Sequence, residues 1–145
     1  MIKLRPALPT DFAFLYLLKK KTLKEYIEAT WGWDEEFQYA YHQRNFDPSK
    51  LSIIQDDDKD IGCLSVSEDS QRIFLEVIEI VPEYQSQGIG RRLILDLILR
   101  GRDSRKNVEL QVLRTNHRAQ KLYAALGFQL VGESKTHFHM VCKAS

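Results

Sequence analysis

The sequence predicts one mixed α/β domain, and three observations carry that reading. Strand-like and helix-period segments follow one another in the order β-α-α-β-β-β-α-β-α-β-β. No linker, internal repeat or low-complexity stretch divides them. The 145 residues, 43% hydrophobic and 28% charged, suit a single core spanning 1–145.

Ile2 to Arg5 reads as an opening strand. Thr10-Asp11 can cap a helix through about Glu28, with Phe12, Leu15, Leu18, Thr22 and Tyr26 along one side. Trp31-Gly32-Trp33 interrupts it, and Asp34 can cap a second helix through about Arg44. Leu51 to Gln55 and Ile61 to Ser67 predict a hairpin around the solvated turn Asp56 to Asp60. Arg72 to Val81 is a long β-rich run. A glycine-containing loop, 85–90, then opens a helix from Arg91 to about Arg100, buried through Leu93, Ile94, Leu97 and Ile98. Val108 to Leu113 is the next strand. Asn116 can cap a short helix that Gly127 ends, and Phe128 to Gly132 and Thr136 to Cys142 finish the sheet.

Charge and composition exclude several function classes. Twenty-one Lys and Arg against twenty Asp and Glu give a net charge of +1, which argues against a nucleic-acid or membrane-surface role. Lys19-Lys20-Lys21 and Arg100 to Lys106 read as solvated helix faces and turns. No apolar stretch approaches the length of a membrane span, and no secretory h-region is present. Cys63 and Cys142 lie in apolar strand-like runs, as expected of reduced core residues in a cytoplasmic protein. Neither has partners at zinc spacing, so no metal site is expected.

The most informative segment is Val81-Pro82-Glu83-Tyr84-Gln85-Ser86-Gln87-Gly88-Ile89-Gly90-Arg91-Arg92. A strand feeds a helix through two glycines one residue apart. Helix N-termini leave N–H groups unpaired and carry partial positive charge, and glycine lets the backbone approach an anion closely. Arg91 and Arg92 can add charge, although either can simply face water. Leu93 stands where a dinucleotide fingerprint needs its third glycine, and no Walker Gly-Lys-Ser/Thr follows. The loop is an anion cradle or a tight turn.

Gln85-x-x-Gly88-x-Gly90 after a strand ending Ile80-Val81-Pro82 resembles the coenzyme A motif of the GNAT superfamily of N-acetyltransferases. Downstream, Leu110-Gln111-Val112-Leu113, Asn116, Ala119 and Leu122-Tyr123-Ala124-Ala125-Leu126-Gly127-Phe128 resemble the family's second landmark. The likeness covers nearly the whole chain. It implies a GNAT-like acyl-CoA N-acyltransferase fold, with a mixed, mostly antiparallel sheet and helices on both faces.

By that resemblance, acetyl-CoA is the cosubstrate. Backbone N–H groups from Gln87, Gly88, Ile89, Gly90 and Arg91 would hold its pyrophosphate, and Gln85 would close the loop. The backbone of Ile80 and Pro82 would flank the pantetheine arm, with Ile80 N–H polarising the thioester carbonyl. Asn116 is a helix cap that would also touch the cofactor arm or a water. Tyr123 would protonate the departing thiolate, whereas outside this setting it would be core packing.

A base must accept the amine's proton. Glu76 and Glu79 both lie on the strand entering the loop, on opposite faces by their odd spacing; Glu79, nearer the expected thioester, is preferred. His137 and His139 offer another relay. Glu28, Trp31 and Trp33 are the candidate acceptor-binding residues, the alternative being a helix–turn–helix packed on the sheet. With no Cys placed for a covalent acetyl-enzyme, direct transfer to a primary amine is expected, in a monomer or homodimer. The acceptor is expected to be a small molecule. Protein N-terminal or lysine acetylation, or an inactive acyl-CoA sensor, are the alternatives.

Overall fold

The computed structural model describes residues 1–144. Its strands are β1 (Ile2–Pro6), β2 (Ser52–Asp56), β3 (Lys59–Glu68), β4 (Arg72–Ile80), β5 (Asn107–Leu113), β6 (Gln129–Glu133) and β7 (His137–Cys142). The helices are α1 (Phe12–Trp31), α2 (Glu35–Asn45), α3 (Ile89–Ser104) and α4 (His117–Ala125). Element order is as the sequence predicts. The seven strands form one sheet, ordered β1-β2-β3-β4-β5-β7-β6. β4 and β5 run parallel, in register from Arg72–Asn107 to Leu75–Leu110. The pairs β1–β2, β2–β3, β5–β7 and β6–β7 are antiparallel.

Contacts gather into two compact units, Met1–Ser65 with Val77–Gln87, and Val66–Glu76 with Gly88 onwards. In the first, Leu15, Leu18 and Ile27 of α1 are buried, as are Ile53 and Ile54 of β2 and Ile61, Cys63 and Leu64 of β3. In the second, the core comprises Ile73 and Leu75 of β4, Ile94, Leu97 and Ile98 of α3, and Val108, Leu110 and Val112 of β5. Tyr123, Phe128, Met140, Val141 and Cys142 complete it. Both cysteines are free and buried.

Three local expectations need correction. Asp11 does not cap α1 through its side chain. Its carboxylate accepts two bonds from the Arg5 guanidinium (2.9 Å each) and one from Leu8 N–H (2.8 Å). A charged, forked donor outcompetes a helix N–H for those lone pairs. The acidic turn shrinks to Asp57-Asp58, because Asp56 and Lys59 pair across the hairpin. Asp60 is engaged there too, accepting from Arg5 (3.0 Å) and Gln55 (2.8 Å). Arg100 and Lys106 are not merely solvated, since both reach Glu68, at 2.9 and 2.7 Å.

Candidate active site

One bond across to β3 and several local ones build the glycine loop. After β4, Val81 N–H donates to Ile61 O (2.8 Å), and a 3-10 turn follows over Pro82–Tyr84. Gln85 N–H donates to Pro82 O (3.2 Å), so the turn itself uses that N–H. Its side-chain amide reaches back to Ile80 O (2.8 Å), and the Gln87 amide to Glu83 O (3.0 Å). Gln85 therefore closes the loop with its side chain.

Gly88 is the N-cap of α3, at φ 83°. Glycine adopts that left-handed conformation without steric cost. Arg92 N–H bonds Gly88 O (3.0 Å) and starts the helical ladder. The N–H groups of Ile89, Gly90 and Arg91 precede that ladder and have no intrahelical acceptor. Helix α3 therefore opens two residues earlier than the sequence predicts, with Gly90 inside its first turn. The Arg91 and Arg92 side chains are exposed, and Arg92 lies 3.4 Å from Asp96.

Glu79 is buried near the end of β4, at 9% exposure. Cys63 Sγ on β3 lies 3.8 Å from its Oε1 and donates to it. Burial pushes the Glu79 carboxyl up to about 7; the Lys19 ammonium and the Cys63 thiol pull the other way. The carboxylate is thus poised near neutrality, where a general base is most useful. Burial likewise raises Cys63 well above the ordinary thiol range, with Glu79 adding to it, so this thiol stays protonated. Glu76, three residues earlier, is exposed and accepts from Ser67 Oγ (2.8 Å). It lines a cleft of about 340 Å³ with Ser67, Glu68, Asp69, Arg72 and Phe74. None of the residues assigned to catalysis, cofactor or acceptor lines that cleft.

In the second unit, Tyr123 of α4 is 8% exposed, its ring centroid 5.7 Å from that of Phe128. Burial raises its phenol to about 12, keeping the hydroxyl protonated. Asn116 caps α4, its Oδ1 accepting from Ala119 N–H (3.1 Å). Of the alternative relay, His139 Nε2 lies 2.9 Å from Glu109, which also binds Arg72 at 3.0 Å. The two imidazoles are half-buried on β7, and burial lowers the pKa of His137.

The α1–α2 segment is more constrained than its sequence suggests. Gly32, at φ 84°, ends α1, and Asp34 caps α2 through Phe37 N–H (3.1 Å). Glu35 is exposed, and it is a hub. It accepts from the Tyr16 hydroxyl and from Trp33 Nε1 (3.4 Å), and it pairs with Lys20 (2.5 Å). Lys24 lies 5.7 Å over the Trp33 ring. Trp33 therefore has intramolecular work on both its N–H and its face, while Glu28 and Trp31 are exposed. The lysine run Lys19-Lys20-Lys21 is likewise not one solvated face. Lys19 is half-buried with its Nζ 4.8 Å over the Tyr41 ring, and only Lys21 is exposed.

The model of the acetyltransferase (GNAT) family matches residues 19–128, a span containing every residue assigned above to catalysis, cofactor or acceptor. The chain belongs to the GNAT acetyltransferase family. Solved GNAT-like structures share the architecture over almost the whole chain. PaiA N-acetyltransferase of Thermoplasma acidophilum, in complex with coenzyme A, matches with a TM-score of 0.79 at 18% identity, covering 99% of each chain. The apo form of YjaB from Escherichia coli gives 0.75 at 16% identity, over 98% of this chain and 97% of that one. The ribosomal-protein-S18-alanine N-acetyltransferase of Escherichia coli gives 0.68 at 18%, over 100% and 95%. At these identities the likeness establishes the GNAT fold. Among the described residues, no helix is long and apolar enough to cross a membrane.

Proposed function

We propose that this GNAT protein transfers acetyl from acetyl-CoA to a primary amine by direct attack, the acceptor being a small molecule. The observation that carries the reading is the Gln85–Arg91 turn, a Gly88-capped helix start whose first N–H groups lack intrahelical acceptors. That arrangement suits a pyrophosphate, because the unpaired N–H groups and the helix dipole both favour an anion. Acetyl-CoA supplies the thioester.

The N–H groups of Gln87 through Arg91 bind the pyrophosphate, and the backbone of Ile80 and Pro82 flanks the pantetheine arm. Ile80 N–H donates to the thioester carbonyl, and Asn116 contacts the arm. Glu79 accepts a proton from the acceptor ammonium, directly or through water; its pKa of about 7 supports that role. As the C–S bond breaks, Tyr123 delivers its proton to the departing thiolate and regains the one left on the adduct nitrogen through water, since burial favours the neutral phenol. Glu28, Trp31 and Trp33 border the acceptor, with Trp33 acting from a fixed position against Glu35. Residues 1–145 work as one catalytic domain, monomeric or homodimeric. Free Cys63 and Cys142 support a reducing, cytoplasmic setting.

The test is thiol release from acetyl-CoA, followed with a chromogenic disulfide, against polyamines, aminoglycosides, amino acids and peptides. Release that depends on one small amine class and falls in Tyr123→Phe is the expected result. Release with peptides alone would make the protein a protein acetyltransferase. Calorimetric binding of acetyl-CoA without release from any amine would overturn the catalytic reading.

A further inference from the structure

A carboxyl group as buried as Glu79 is set by its neighbours, and those neighbours come from three elements. On β3, Cys63 Sγ is 3.8 Å from Glu79 Oε1 and donates to it. The preceding residue, Gly62, leaves no room for a side chain against β4, since an added Cβ would meet the Glu79 carbonyl oxygen. On α1, Lys19 follows Leu15 by four residues and shares its helix face, and Leu15 is buried. A lysine on the inner stripe of a helix is uncommon, because its ammonium loses hydration. From α2, the Tyr41 ring offsets part of that loss by lying 4.8 Å under the Lys19 Nζ.

The Lys19 charge also acts on Glu79, and reciprocally Glu79 holds the Lys19 pKa up against burial. His42, beside Tyr41, is the other titratable group that Lys19 influences. It is held down chiefly by its own burial, and its Nε2 lies 3.3 Å from Phe12 O. The groups that bear on Glu79 are therefore a cation on α1 and a neutral thiol on β3.

We propose that Cys63 is a positioning residue for Glu79, its S–H fixing the carboxylate oxygen that accepts it while Gly62 lets β3 lie against the Glu79 main chain. The proposal rests on reading Glu79 as the base, and it names what makes that base usable. Without the thiol, one carboxylate oxygen loses its donor and the side chain can turn.

The experiment combines two readouts on the whole chain, a ¹³C-carboxyl NMR titration of Glu79 and the pH profile of kcat/KM. Cys63→Ala should move the Glu79 midpoint and the acid limb of the profile upward together, because a hydrogen bond to the charged carboxylate favours that form. Cys63→Ala should lower kcat several-fold with little change in the KM for acetyl-CoA, and Cys63→Ser should recover part of the loss. Unchanged kcat with an unmoved Glu79 midpoint in Cys63→Ala would overturn the role of Cys63. A midpoint that moves while the rate profile stays fixed would uphold the Cys63–Glu79 contact and reject Glu79 as base. Circular dichroism controls for folding, and Cys63→Val is a second variant that lacks the donor.

Discussion

Gly62 on β3 faces the backbone of Glu79 on β4 so closely that a Cβ there would meet the Glu79 carbonyl oxygen and come within 3.2 Å of Ile80 Cα. The obstruction is main chain, so no rotamer change relieves it. Gly62→Ala must push β3 away from β4 beside the proposed base. Overpacking of this kind costs about 1–3 kcal/mol. A lower urea midpoint at unchanged m value would register it, along with a loss of turnover greater than that of Gly132→Ala, whose added Cβ would meet nothing nearer than 4.0 Å.

Replacing Glu79 by Gln removes both the proposed base and a pH-dependent contribution to stability. The folded pKa, about 7, lies above the ordinary carboxyl value of 4.5. Between those values the folded chain binds more protons than the unfolded one, so stability falls as pH rises through that window. The loss is about 3 kcal/mol over the whole interval. Urea unfolding at pH 5, 6, 7 and 8 should show this decline in the wild type and a flatter curve in Glu79→Gln. The wild-type rate should rise with pH to a plateau above about 7, and the variant should lose that ascending limb.

Tyr123→Phe keeps the ring against Phe128 and deletes only the hydroxyl. General acids contribute about 10²–10⁴ in rate, so kcat should fall within that range while the Kd for acetyl-CoA stays near the wild-type value. Steady-state kinetics and calorimetry on the same preparation separate the two. A variant with wild-type kcat would remove Tyr123 from the mechanism.

At Gly88 an added Cβ would meet nothing within 4 Å, so Gly88→Ala introduces no clash and only the cost of a positive φ. That cost is about 1–2 kcal/mol. The helix can escape it by shifting its first turn, which would re-aim the N–H groups of Ile89 to Arg91. Weaker acetyl-CoA binding, with the thermal midpoint falling only a few degrees, is the expected pairing. Unchanged affinity would show that this turn does not hold the pyrophosphate.

The order of elements, the Asn116 and Asp34 caps and the helix-opening turn were legible from the sequence, because each depends on residues within a few positions of one another. Hydrophobic period, a capping side chain and a glycine at positive φ are local properties. Glu79 could be named on strand position alone, yet its ionisation could not be read there. The residues that set it, Cys63 and Lys19, lie 16 and 60 positions away along the chain, and desolvation is a property of the packed interior. The same limit explains Asp11, drawn to Arg5 instead of its own helix, and Trp33, held by Glu35 and Lys24. The sequence by itself determined which local structures form and where the glycine turn lies. Only the tertiary structure decided which charged and aromatic side chains are engaged, because charge pairing and burial depend on neighbours that folding brings together.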